Sequence, residues 1–214
     1  MIVSDSQRQL DTLAEYGDAS VRILHRRGSL VGVPGRHGLS AWLYRRWGNR
    51  GNAIVTALGS FLAIAVSGTI AWVVSEPLVF PSLGATAFLA FETPLAEVAS
   101  PRNTLLGHGT AIAAAALSLA LFGLLDAPSA YVEGITAARV GAVALSVGLT
   151  GGVLRLLRAA HPPAGATTII VSSGLLAEPA QMLSVAIGVV LLTISCWLLN
   201  RAIGVPAPAW RAPA

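Results

Sequence analysis

Long apolar stretches without charge restrict the fold of this chain more than any other feature. Residues 53–75, 104–125 and 182–200 contain no Asp, Glu, Lys or Arg. A helix needs about 20 apolar residues to cross the hydrocarbon core of a bilayer. Charged residues make up 11% of the chain, against roughly 25% in soluble domains, which is too little to cover a water-facing surface. The sequence therefore predicts an all-α, polytopic bundle of transmembrane helices.

A short motif, Pro-x-x-Gly-Ala-Thr, occurs twice, at residues 81–86 and 162–167. The same offset of 81 residues places Gly107 on Gly188. We interpret the pattern as an internal duplication in which each repeat reads helix, short broken helix, helix. Segments with Pro and Gly interruptions at matching positions are typical of transport sites. The predicted repeats cover about residues 53–125 and 134–200.

The segments that carry the motif are too short for ordinary spans. Residues 77–91 and 162–176 would each form a helix of about 22 Å, against a hydrocarbon core of about 30 Å. If they cross with an extended lead-in, the chain has six segments and the repeats are inverted. If they re-enter, it has four spans and two re-entrant segments. Charge placement favours crossing, because the arginines near the membrane boundaries then fall mostly on the side of the basic N-terminal tail.

The chain divides into three predicted regions. Residues 1–50 are a cytoplasmic tail with an interfacial segment rich in Trp and Arg, residues 51–201 the transmembrane domain, and residues 202–214 a C-terminal tail. No signal peptide is evident, so we expect a multi-pass protein of the bacterial inner membrane with a cytoplasmic N-terminus. The pI of about 10.2 reflects charges at membrane boundaries, which predicts lipid as a partner and no nucleic acid.

The repeated motif has the chemistry of an anion site. Proline suits the first turn of a helix, and a helix N-terminus offers unpaired N–H groups and a partial positive charge. Two such ends meeting near the midplane would bind a small anion. The alternative is that the motif only breaks and packs helices. The predicted binding residues are Ser82, Gly84, Ala85, Thr86, His161, Gly165, Ala166, Thr167 and Thr168.

Two histidines and three arginines are further candidates. His161 precedes the second motif and His108 lies early in an apolar run, and an ionisable residue in a membrane interior is a functional candidate. Either ring could carry a proton or stay neutral, bonded to a carbonyl. The arginines could form an anion-concentrating vestibule or complement helix ends and headgroups. These three are Arg102, Arg155 and Arg158.

Several classes of protein are not indicated. No nucleophile–base constellation, nucleotide-binding loop or cluster of metal ligands is visible. Cys196 is the only cysteine, which excludes an internal disulfide and a cysteine-based metal site. We expect no enzymatic activity, no cofactor and no metal, and leave a homo-oligomer open.

The His-Pro-Pro-Ala-Gly-Ala-Thr stretch at residues 161–167, with residues 81–86, 99–103 and 107–108, resembles the HPP family of integral membrane proteins. The resemblance covers about residues 51–201. It implies four transmembrane helices and, from members in cyanobacteria and chloroplasts, an association with nitrite transport. We therefore expect a transporter of a small monovalent anion, nitrite first. A passive anion channel and a non-transporting sensor or scaffold are the alternatives.

Overall fold

Every regular element in the part of the chain described by the computed structural model, residues 37–76 and 78–212, is helical. This confirms the predicted all-α class. The predicted tail over residues 1–36 lies outside the described residues. The α-helices of this part are α1 Gly38–Trp47, α2 Asn49–Val74, α3 Pro81–Glu92, α4 Pro101–Leu121, α5 Ala130–Glu133, α6 Ala137–Leu156, α7 Pro163–Ser172 and α8 Pro179–Ala202, and a 3-10 turn lies at Glu97–Ala99.

Four of these helices, α2, α4, α6 and α8, are long and apolar enough to cross a membrane. Local signals set where they begin. Proline occupies the first turn of α4 and α8, where a missing N–H costs nothing. The side chains of Ser100 and Thr136 accept hydrogen bonds from the first turns of α4 and α6, and Glu178 forms a capping box with Gln181.

The spans turn small and hydroxyl-bearing residues inward and large apolar residues outward. The buried positions of α2 include Gly59, Ser60 and Ala63, whereas Phe61 and Trp72 of the same helix are exposed. Apolar side chains gain nothing by leaving lipid, so close helix packing in a membrane relies on small residues. The exposed apolar faces are therefore the surfaces expected of a membrane domain.

Hydrogen bonds between helix ends define the order of the bundle. Arg102 at the start of α4 donates to the carbonyls of Leu157 and Arg158 at the end of α6, at 2.9 and 3.0 Å. Ser184 near the start of α8 donates to Glu76, just beyond α2, at 3.1 Å. The residues that lead into α1 bond to the end of α8. Helices α2 and α4 therefore begin at the end of the bundle where α6 and α8 finish.

The short helices each begin inside the bundle and run towards one end. A side chain at Gly188 of α8 would collide with Leu78, before α3, while Ala90 near the end of α3 accepts a hydrogen bond from Asn200 at 3.0 Å. Helix α3 thus runs alongside α8 in the same direction. Helix α7 starts beside Gly107 of α4 and ends beside Arg139 of α6. These contacts favour crossing over re-entry, and the inverted duplication stays a prediction.

One packing contact occurs in both halves. Gly107 lies against His161, which leads into α7, and Gly188 lies against Phe80, which leads into α3. The two glycines are related by the offset of 81 residues, and so are Phe80 and His161. In each case a glycine of the long helix in one half makes room for the lead-in from the other half, which is consistent with the predicted duplication.

The crossing arrangement predicts opposite locations for two exposed positions. In a Cys196→Ser background, we expect Asp126→Cys and Ala209→Cys to react with a membrane-impermeant thiol reagent from opposite faces of oriented vesicles. The reason is that in this arrangement each short segment crosses the membrane, so the chain emerges on the opposite face after it. Glu97→Cys serves as a control and should label from the same face as Ala209→Cys. Labelling of positions 126 and 209 from one face would establish re-entry instead.

Candidate functional site

The two short helices meet at a cluster of five buried polar side chains, called here the polar cluster. Helix α3 contributes Ser82 and Thr86, α7 contributes Thr167, α4 contributes His108, and the lead-in to α7 contributes His161. Each of the five is at most 4% exposed. The structure therefore brings together five sequence-predicted residues.

His108 bridges the two threonines of the repeated motif. Its Nε2 lies 3.0 Å from Thr86 Oγ1, and its Nδ1 lies 2.7 Å from Thr167 Oγ1. Thr167 Oγ1 is also 2.6 Å from Ser82 Oγ, and the Thr86 hydroxyl donates to the Ser82 carbonyl at 2.9 Å. Because the threonines occupy equivalent positions of the motif, a single imidazole ring joins both copies.

The second imidazole lies against the first. The Nδ1 of His161 is 2.9 Å from the carbonyl oxygen of Val98, and its Nε2 is 3.2 Å from His108 Nε2 and 3.4 Å from Thr86 Oγ1. The rings meet edge to face, with centroids 5.0 Å apart. A carbonyl oxygen can only accept, so Nδ1 of His161 carries a hydrogen.

The first turns of α4 fix the position of His161. The Arg102 guanidinium binds two carbonyls at the end of α6, and Asn103 Nδ2 donates to the carbonyl of Ala160 at 3.2 Å. A Cβ at Gly107 would lie only 2.8 Å from His161 Cβ. The glycine therefore allows the lead-in to lie directly on α4, which places the His161 ring beside His108.

Backbone donors contribute less than the motif suggests. In the first turn of α7, Pro162 and Pro163 have no N–H, and the N–H groups of Ala164 and Gly165 donate to the carbonyls of His161 and Pro162, each at 3.0 Å. These residues leave no free N–H for an anion. The geometry therefore does not support the predicted backbone anion site at this helix end, where the polar groups left to the cluster are side-chain hydroxyls and imidazoles.

The remaining motif residues point elsewhere. Ala85 is exposed, and a side chain at Gly84 or Gly165 would meet open space. Thr168 bonds to Thr150, 3.0 Å away, and not to the polar cluster. The predicted residues that are not hydrogen-bonded to the cluster through side chains are Gly84, Ala85, Gly165, Ala166 and Thr168.

The arginines have different roles. Arg102 is half-buried and engages carbonyls, whereas Arg155 and Arg158 are exposed at the end of α6. Sequence reasoning missed Arg139, which is 2% exposed and donates to the carbonyls of Ser172 and Pro128 at 3.3 and 2.7 Å. No carboxylate among the described residues pairs with it. It holds the end of α7, and its place in the first turn of an apolar helix is the signal that could have identified it.

A small cavity of about 30 Å³, partly open to the outside, reaches the polar cluster at Thr86. It lies between α3, α4 and α8 and is bordered by Ala207 and Pro208 of the C-terminal segment. Two of its lining residues have a buried atom with no hydrogen-bond partner among the described residues, namely Nε1 of Trp197 and Oδ1 of Asn200.

Comparison with known proteins gives one assignment. The HPP transmembrane region matches residues 46–208, which include both motifs and both cluster histidines. The chain belongs to the HPP family. No curated protein and no solved structure gives a significant match. The resemblance seen in the motif is thus confirmed, and the HPP protein is an integral, multi-pass membrane protein with four apolar helices long enough to span.

The tight contact at Gly107 predicts different effects of two similar substitutions. Gly107→Ala should destabilise the HPP protein by about 1–3 kcal/mol, because the added methyl group displaces His161. Gly109→Ala on the same helix meets open space and should be neutral or stabilising by up to about 1 kcal/mol. Thermal unfolding in detergent measures both. Equal stability of the two variants would show that the contact is not tight.

Proposed function

We propose that this HPP protein transports a small monovalent anion, nitrite first, across the bacterial inner membrane. The observation that carries the proposal is the polar cluster, in which two discontinuous helices meet among four apolar spans. Ionisable side chains inside a membrane are costly and mark substrate or ion pathways. Irregular backbone at that depth is typical of transporter binding sites.

The size and chemistry of the polar cluster fit a small solute. Its five side chains are buried and mutually hydrogen-bonded, so only a small ion can be admitted without a large rearrangement. Hydroxyls and imidazole N–H groups donate hydrogen bonds, which are the contacts an inorganic oxyanion requires. The cavity that ends at Thr86 gives such an ion a route towards the cluster.

The distribution of charge supports one orientation. The end of the bundle where α8 finishes carries exposed or half-buried arginines, namely Arg45, Arg46, Arg50, Arg102, Arg155, Arg158, Arg201 and Arg211. The opposite end carries Glu76, Asp126, Glu133, Glu178 and the buried Arg139. Arginine is enriched on cytoplasmic faces, so we place the first end, and with it the N-terminus, in the cytoplasm. These arginines would also raise the local concentration of anions at the cavity mouth.

Two other functions are distinguished from transport by specific features. A scaffold needs small residues for helix packing but does not require a buried pair of imidazoles, whereas a sensor would keep the pair and show no uptake. A passive channel needs a continuous polar path, whereas the cluster is closed by its own hydrogen bonds. We propose no enzymatic activity and no cofactor, with lipid and the anion as partners, and assembly into a homo-oligomer stays a prediction.

Removing either bridged hydroxyl tests the proposed site. In liposomes into which the purified protein is reconstituted, Thr86→Val and Thr167→Val should each slow nitrite uptake by about tenfold or more. In each variant an imidazole nitrogen of the buried His108 ring loses a threonine hydroxyl as its hydrogen-bond partner. Thr110→Val is the matched control. Thr110 is half-buried on α4 and makes no hydrogen bond through its side chain to any described residue.

The outcomes separate the function from the site. Absence of protein-dependent uptake of nitrite, nitrate and formate would exclude the transport function. Uptake that is equally fast in the wild type and in both cluster variants would place the anion path elsewhere in the bundle.

A further inference from the structure

The hydrogen bonds of the polar cluster have one consistent direction. His161 donates through Nδ1 to Val98, so the neutral ring leaves Nε2 as an acceptor. His108 Nε2, 3.2 Å away, must then carry the hydrogen that lies between the rings. The Nδ1 of His108 is left to accept from the Thr167 hydroxyl, which accepts in turn from Ser82.

In this neutral state the cluster has no hydrogen-bond donor to spare. The hydroxyl of Thr86 donates to the Ser82 carbonyl, and every other O–H and N–H of the five side chains is engaged within the chain just described. An anion needs donors or a positive charge. The neutral cluster can therefore hold itself closed but cannot bind an anion.

One added proton reverses the chain. The proton goes to Nδ1 of His108, and the hydrogen between the two Nε2 atoms lets both rings share the charge. The Thr167 hydroxyl must then turn from His108 to Ser82 Oγ, 2.6 Å away. The hydroxyl of Ser82 loses its acceptor and becomes free to donate. Protonation thus supplies both the charge and the donor that an anion requires.

In the part of the chain that the structure describes, no other charged group balances either ion. Helix α7 has no titratable residue, Glu92 at the end of α3 and Glu97 in the 3-10 turn are exposed, and Arg102 of α4 engages carbonyls. Of the α6 arginines, Arg155 and Arg158 are exposed, and Arg139 at the opposite end of the helix is engaged by the carbonyls of Ser172 and Pro128. Cys196 of α8 is a neutral thiol in the apolar core. A proton or an anion bound alone would be an unpaired buried charge, which is strongly unfavourable.

We propose that the anion and one proton occupy the polar cluster together, with the His108–His161 pair holding the proton. The protein would then be an electroneutral proton–anion symporter. The inference rests on the proposed transport function and adds the coupling ion and the residues that bind it.

Proteoliposomes in which the pH gradient and the membrane potential are set independently test this coupling. Potassium and valinomycin fix the potential, a trapped dye reports internal pH, and matched protein-free liposomes correct for nitrous acid that permeates unaided. Inward proton gradients should accelerate nitrite uptake, and the interior should gain one proton per nitrite. The imposed potential should not alter the rate.

Variants assign the proton to the pair. His108→Gln, which keeps hydrogen-bonding groups but binds no proton, should lose about tenfold or more of the gradient-driven uptake. Thr167→Ser keeps the hydroxyl and should retain coupling, whereas Thr167→Val should lose it. If His108→Gln does not fold, the comparison of Thr167→Ser with Thr167→Val still tests whether coupling depends on the hydrogen bond to His108.

Each contrary result overturns a different statement. Wild-type uptake that follows the potential and ignores the pH gradient overturns the symport inference and leaves anion transport standing. Gradient-driven, one-to-one uptake by His108→Gln overturns the assignment of the proton to the histidine pair. Absence of uptake under every condition overturns the transport function and the symport inference together.

Discussion

The hydrogen bonds that join His108 with Thr86 and Thr167 are the interaction on which the rest of the structure depends. The bilayer core holds no water to satisfy a buried hydroxyl or imidazole, so these groups must satisfy one another. To do so, α3 and α7 must begin inside the bundle, one from each half, and α4 must pass between them. The broken helices, the small residues that admit them and the bonds that close their ends all serve this requirement.

Irregular backbone at that depth needs partners of its own, and the chain supplies them from neighbouring helices. Arg102 and Asn103 donate to the carbonyls that precede His161, and His161 donates to the carbonyl of Val98. Arg139 does the same at the end of α7, where its buried cation lies against carbonyls instead of a carboxylate. Cationic and imidazole side chains that could bind an anion, such as Arg102 and His161, thus donate hydrogen bonds to backbone carbonyls instead.

The sequence predicts the spans well because hydropathy is a local property, and charge-free runs become α2, α4 and α8 with small shifts of their bounds. The sequence also singles out the motif threonines, which lie in the polar cluster. Only one side of each short helix faces the inside of the bundle, and the motif alone does not show which of its residues lie on that side. Ser82 and Thr86, four residues apart, share the inner face, while Ala85 lies outside. The bridging role of His108 follows from tertiary contact alone, so no sequence spacing could reveal it.

The two halves differ where the chemistry is concentrated. At the positions equivalent to His161 and His108, the other half has Phe80 and Val189, and both belong to one apolar core cluster. If Phe80 and Val189 were also histidines, the bundle would bury four ionisable rings instead of two, with no additional carboxylate to balance them. With one apolar and one polar version of the same packing, only a single pair of imidazole rings is buried, the pair to which we assign the proton. The predicted duplication would therefore provide the geometry, and its asymmetry would limit how much charge the proposed site can carry.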